Sequence, residues 1–121
     1  MDNNELIAIF DQQATHYDSQ WDKIAPVYLG LFFMMEAVFA DLPADARILC
    51  VGAGTGKELL YLAKKFPGWH FTAVEPASAM LRVCQHNVEA QGIAGRCDFH
   101  AGLLESLPAG RRYDGATCLL V

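Results

Sequence analysis

Three glycines at alternate positions, Gly52, Gly54 and Gly56, and one acid, Glu75, have the types and spacing for ligand chemistry in this sequence. The glycines lie in the stretch Arg47-Ile48-Leu49-Cys50-Val51-Gly52-Ala53-Gly54-Thr55-Gly56-Lys57-Glu58, where an apolar run of strand length ends and a helix-period segment begins. Lacking a Cβ, they let the chain turn sharply and let a ligand approach its backbone. Glu75 follows Gly56 by 19 residues, near where an open α/β sheet places a ribose-binding carboxylate. A carboxylate there accepts charge-assisted hydrogen bonds from two vicinal ribose hydroxyls. The plainer alternatives are a tight turn without a ligand and, for Glu75, a first-turn helix acid that complements the dipole.

The spacing narrows the choice of nucleotide. Counting from Gly52, the third small residue of the dinucleotide fingerprint G-x-G-x-x-G/A falls on Lys57, which cannot pack helix on strand as a small residue does. No G-x-x-x-x-G-K-[ST] phosphate loop occurs. The spacing present is G-x-G-x-G.

The elements that must hold these residues follow from periodicity. Ile48 to Val51 reads as a strand buried on both faces, as parallel sheets require. Leu59, Leu62, Ala63 and Phe66 then recur on one helix face. Pro67-Gly68 breaks the chain, Trp69 to Val74 is the next strand, and Glu75 ends it. Met80, Leu81, Cys84 and Val88 mark a helix that Gly92 and Gly95 end, residues 96–101 a third strand, and Tyr113 to Val121 a fourth. Before the first strand, residues 4–21 and 25–40 read as helices. The second is apolar almost all round and calls for cover on most sides.

The G-x-G-x-G loop with Glu75 resembles motif I and the acidic second-strand end of the class I S-adenosylmethionine-dependent methyltransferases. Other stretches extend the likeness. Phe10-Asp11-Gln12-Gln13-Ala14-Thr15-His16-Tyr17-Asp18 resembles that family's F-D-x-x-A-x-x-Y-D opening, on a helix that caps the cofactor cleft. Glu75-Pro76-Ala77-Ser78-Ala79-Met80 resembles the sequence after its second strand, where a methionine packs on adenine. Gly102-Leu103-Leu104-Glu105-Ser106-Leu107-Pro108 is similar to its adenine loop G-D-x-x-x-L-P, with Leu103 where the pattern has aspartate. Backbone groups around Leu103 and Leu104 would then serve the ring edge. Pro26-Val27-Tyr28 is similar to a P-x-Y segment of the bacterial tRNA wobble-uridine carboxymethyltransferase group, whose tyrosine reaches the amino-acid end of the cofactor. The alternative for Tyr28 is a core tyrosine.

The resemblance implies a Rossmann-like α/β fold: a parallel sheet in the order 3-2-1-4, helices on both faces and N-terminal cap helices. Residues 1–44 would be the cap and residues 45–121 an incomplete S-adenosylmethionine-binding subdomain, about half of the family's domain. The cofactor contacts would be Gly52, Ala53, Gly54, Thr55, Gly56, Glu75, Pro76, Met80, Gly102, Leu103, Leu104 and Tyr28. An uncovered fourth strand implies association, most simply as a homodimer. The activity implied is methyl transfer to an unknown acceptor by the complete domain; a non-catalytic module binding S-adenosylmethionine or S-adenosylhomocysteine, or a truncated, inactive fragment, is a second reading, and a nicotinamide-dependent oxidoreductase fragment a third.

Composition bounds the rest. A chain of 121 residues, 53% hydrophobic and 19% charged, has material for one core. The net charge of −5 and the isolated pairs Lys64-Lys65 and Arg111-Arg112 give no electrostatic case for nucleic acid. Cys50, Cys84, Cys97 and Cys118 have no C-x-x-C spacing and no nearby histidine pair; they read as thiols of a reducing, cytoplasmic compartment, and no metal site is expected. The acidic N-terminus is unlike a signal peptide. Ile24 to Leu42 is interrupted by Pro26, Gly30, Glu36 and Asp41, so it falls short of the roughly 20 apolar residues of a membrane span. His16, His70, His86 and His100 are scattered, Asp114 reads as a structural acid, and no catalytic residue is assigned.

Overall fold

The structure, a computed structural model, describes residues 2–14 and 22–119. Helices α1 (Asn3–Gln13) and α2 (Ala25–Val38) precede the alternation β1 (Arg47–Val51), α3 (Lys57–Lys65), β2 (His70–Glu75), α4 (Ser78–Ala90), β3 (Cys97–Ala101) and β4 (Gly115–Thr117). The four strands form one sheet in the order β3-β2-β1-β4. All its pairings are parallel, as expected from the sequence.

The core explains the apolar runs. Ile48 pairs with Phe71, and Cys50 with both Ala73 and Thr117. All five are buried. The four apolar ones join α2, α3 and α4 in a single cluster. On the opposite face Thr72 and Val74 of β2 are buried, Leu49 and Val51 are half-buried and Asp98 is exposed. Between β3 and β4 the chain forms only a short 3-10 turn, Leu104–Ser106, and no helix returns from it to cover that face. The described helices of this core therefore layer one side of the sheet. Trp69, expected as the start of the second strand, sits just before it at 1% exposure. It stacks on Phe66 and donates its indole N–H to the Pro43 carbonyl.

The first helix is described over Asn3–Gln13, inside the expected 4–21 apart from its first residue; Thr15 to Trp21 lie outside the described residues. Its start is fixed by a reciprocal capping box between Asp2 and Glu5. Two expectations need correction. The second helix is not covered on most sides. It buries Tyr28, Phe32 and Met35, a face at i, i+4 and i+7, while Phe33, Met34 and Val38 are 60–76% exposed. Its helical neighbour is α3, to which the Tyr61 hydroxyl ties it by donating to Glu36. The fourth strand is short, Gly115–Thr117, because its ladder with β1 runs only from Ile48 to Cys50; Leu120 and Val121 lie outside the described residues.

Candidate functional site

The glycine loop leaves β1 with its own geometry. Gly52, Gly54 and Gly56 have φ of 66°, 58° and 90°, the left-handed region that other residues enter only with strain. The amides of Gly52 and Ala53 both donate to the Val74 carbonyl, so the turn hangs from the end of β2. On its far side the Thr55 carbonyl accepts from the Asn87 side chain. A Cβ on Gly56 would stand 2.7 Å from the Cys84 Sγ. The loop is thus pressed against α4 as well as against the sheet.

Glu75 closes the arrangement. It is 7% exposed, and its carboxylate accepts the Gly54 amide at 2.8 Å and the Ala77 amide at 3.0 Å, one on each oxygen. Its own carbonyl accepts from Gly102. One residue therefore joins the glycine loop, the entry to α4 and the loop after β3. Each carboxylate oxygen offers about two acceptor directions, so capacity remains for two further donors.

Around this carboxylate lies a cavity of about 190 Å³, lined by Gly52, Gly54, Glu75, Pro76, Ala77, Met80 and Leu103, with Asn3, Leu6, Ile7 and Phe10 of α1 as its outer wall. It is smaller than the roughly 300–1,000 Å³ of pockets that enclose a whole ligand, so its volume matches one part of such a ligand. The N-cap of α4, Ala77, has no side-chain cap. Asp11 of α1 supplies one, accepting the Ala79 amide at 2.9 Å, a contact of the kind worth about 0.5–2 kcal/mol. Asp11 thereby pins α1 across the cavity.

Of the residues expected at a cofactor site, Gly52, Gly54, Glu75, Pro76, Met80 and Leu103 meet on this cavity. Ala53, Thr55 and Gly56 belong to the same loop and are buried beneath it. Gly102 is half-buried and Leu104 exposed in the neighbouring loop. Tyr28 lies elsewhere. It lines a larger groove of about 500 Å³ between α2 and α3, with Phe32, Lys57, Tyr61 and Arg96. Two cations of that groove, Arg96 and Lys57, are already engaged. Arg96 donates to the carbonyls of Ala63, Phe66 and Trp69, and Lys57 stands 5.4 Å over the Tyr28 ring and 3.9 Å from Asp22. Asp11 and Asn87 act through contacts 68 and 32 positions away, and Ala77 through its backbone amide, which its residue type does not reveal.

A second buried acid lies beside the loop. Glu58, in the first turn of α3, is 6% exposed, and its Oε2 has no hydrogen-bond partner among the described residues. Burial pushes its pKa from 4.5 up to about 8, against a smaller opposing effect of the neighbouring Thr117 hydroxyl. Its position near a helix N-terminus favours the anion, yet desolvation prevails. The Cys50 thiol below it is raised as well, first by burial and then by Glu58. Among the described residues no group of three or more His, Cys, Asp or Glu could hold a metal ion, and no helix is long and apolar enough to cross a membrane.

Comparison with known proteins gives this geometry a context. Residues 48–121 match the family model described as a methyltransferase domain. Malonyl-acyl-carrier-protein O-methyltransferase of Bacillus cereus is 29% identical over 105 residues, 87% of this chain and 37% of that protein. The S-adenosylmethionine-bound amino-pentose methyltransferase of Micromonospora echinaspora superposes with a TM-score of 0.67 at 29% identity, over 85% of this chain and 41% of that one. A methyltransferase from Thiobacillus denitrificans, in complex with S-adenosylhomocysteine, gives 0.64 at 26% identity, over 74% and 36%. The chain thus spans well under half the length of each relative. With residues 48–121 matched, the chain belongs to the methyltransferase domain family.

Proposed function

We propose that this chain is the S-adenosylmethionine-binding portion of a methyltransferase, with the cofactor's nucleoside end in the cavity between the glycine loop and α1. In this reading residues 45–121 form the binding subdomain and residues 1–44 its cap. The observation that carries it is the Glu75 carboxylate, held between the Gly54 and Ala77 amides at an apolar cavity, with acceptor capacity to spare. That fits a ribose diol, while Met80 and Leu103 offer apolar surface to a base. When bound, the cofactor supplies an electrophilic methyl group on a sulfonium. The residues of this chain bind and orient it. Gly52 and Gly54 admit it to the backbone, Glu75 takes its hydroxyls, and Leu6, Ile7 and Phe10 keep water from one side. Orientation of this kind is worth several kcal/mol of a displacement barrier.

The test is thermal stabilisation of the chain by S-adenosylhomocysteine against NAD. A ligand at 100 times its Kd adds about 2.7 kcal/mol to stability, so S-adenosylhomocysteine should raise the melting temperature by several degrees and NAD should leave it unchanged. Stabilisation by NAD alone would overturn the proposal in favour of a nicotinamide site.

Two further parts of the proposal concern setting and assembly. A cytoplasmic location is supported by four cysteines that are all thiols. A homodimer is supported by β4, which stands at the sheet edge, and by the exposed apolar residues Phe33, Met34 and Val38 of α2. Light scattering after size exclusion should show a dimer whose population rises with concentration. Ala116→Lys on the edge strand or Phe33→Lys on α2 should shift it towards monomer. A monomer at every concentration would contradict the assembly.

A further inference from the structure

The apolar cavity has a consequence for specificity, and it rests on the reading that the base of the cofactor lies there. Its wall is formed by Leu6, Ile7, Phe10, Met80 and Leu103, and among the described residues only Asn3 and Glu75 bring polar side chains to it. Glu75 lies at the glycine-loop end, its two oxygens already turned to the Gly54 and Ala77 amides. Asn3 carries both an acceptor and a donor on one rotatable carboxamide. It can face a donor or an acceptor equally, so it discriminates between neither.

The loop that presents Leu103 is fixed. The Ser106 hydroxyl donates to the Leu103 carbonyl at 2.8 Å. Its one hydrogen is thereby used, so the His100 Nε2, 2.8 Å away, is the donor to Ser106 Oγ. A Cβ on Gly102 would stand 2.7 Å from the same Oγ, and the Gly102 amide donates to the Glu75 carbonyl. Leu103 is therefore held at the cavity by a clamped loop, and a leucine side chain accepts no hydrogen bond.

We propose that this cavity recognises a purine base by apolar contact and shape, with no side-chain hydrogen bond to the 6-position, and that it accepts cofactors whose exocyclic 6-amino group is removed or methylated. A site built to hydrogen-bond a group rejects an analogue lacking it, because a buried polar partner is left unpaired. Such rejection reaches 10⁴–10⁵-fold, whereas an apolar wall discriminates a methyl group by about 10–200-fold. Deletion of the amino group would leave no buried side-chain acceptor of the base wall unpaired, since Leu103 carries none and Asn3 is exposed to water.

Calorimetric titration with S-adenosylhomocysteine, its 6-deamino counterpart and its N6-methyl counterpart tests this. The deamino ligand should bind within about threefold of S-adenosylhomocysteine, and the N6-methyl ligand should stay inside the roughly 10–200-fold limit of an apolar wall. In Leu103→Asp a new acceptor faces the base, and the variant should prefer the amino-bearing ligand over the deamino one by at least about tenfold, as a hydrogen bond to a charged group implies. If S-adenosylhomocysteine binds and the deamino ligand is weaker by about 100-fold or more, the inference is overturned while the cofactor reading stands. An unchanged preference in Leu103→Asp also overturns it, since Leu103 then does not face the base. Failure of all three ligands to bind would overturn the cofactor reading and this inference with it.

Discussion

Glu75→Ala is expected to weaken S-adenosylhomocysteine binding by about 100-fold or more. Hydrogen bonds to a charged group contribute about 1.5–3 kcal/mol, and each 1.4 kcal/mol is tenfold in affinity. A ribose diol donating twice to the carboxylate would lose both bonds. The loss is not confined to the ligand. The Gly54 and Ala77 amides lose their acceptor as well, so the loop is no longer held in its binding shape. Glu75→Gln keeps the packing volume and one acceptor oxygen, but its NH2 faces one of the two backbone amides. It should loosen the loop less than Glu75→Ala and bind with intermediate affinity. Calorimetry on both variants decides the matter. Affinity in Glu75→Ala within about threefold of the parent would show that the carboxylate is only a fastening for the loop.

The second large effect concerns Glu58. The folded state holds its proton up to a pKa of about 8, whereas the ordinary value is 4.5. Between these two values the unfolded chain releases a proton that the native chain keeps. The contribution of the neutral acid is therefore fully present below about pH 4.5 and is lost as the pH rises to about 8. Within that window the stability of the parent should fall by about 1.4 kcal/mol per pH unit from this group alone. Glu58→Gln, a neutral isostere, lacks that component. Its stability should fall less steeply than the parent's from pH 5 to 8, and by pH 8 it should be the more stable protein by a few kcal/mol. Urea titrations at several pH values give both curves, and the difference between them cancels the histidines. Parallel curves would mean that Glu58 ionises in the native state without cost.

Much of the fold was legible because its central features leave local marks. A central parallel strand is mostly apolar, and Ile48 to Val51 of β1 and Phe71, Ala73 and Val74 of β2 are. Left-handed turns require glycine, and Gly52, Gly54 and Gly56 take that conformation. Position 75 is visible because the chain needs one helix and one strand to return to the same sheet edge. What escaped sequence reasoning was set by distant contacts. Asp11 caps a helix 68 positions away, and nothing near it in sequence says so. β4 ends at Thr117 opposite Cys50 although β1 continues to Val51, so the apolar run from Ala116 to Val121 does not set its extent. The apolar surface of α2 predicted cover that the described residues do not give, because composition records what a helix could bury and not what lies beside it. Tyr28 shares its helix face with Phe32 and Met35 and lines the groove between α2 and α3. Nothing in the sequence around Glu58 marks it as buried; the position of α3 beside Cys50 and Thr117 makes it so.

The most direct measurement is a crystal structure of this chain with S-adenosylhomocysteine. The ribose hydroxyls should lie about 2.5–3.0 Å from the Glu75 carboxylate oxygens, with the base against Met80 and Leu103 and α1 across it. A ligand seated in the groove between α2 and α3, or a Glu75 carboxylate that still touches only the Gly54 and Ala77 amides, would contradict it.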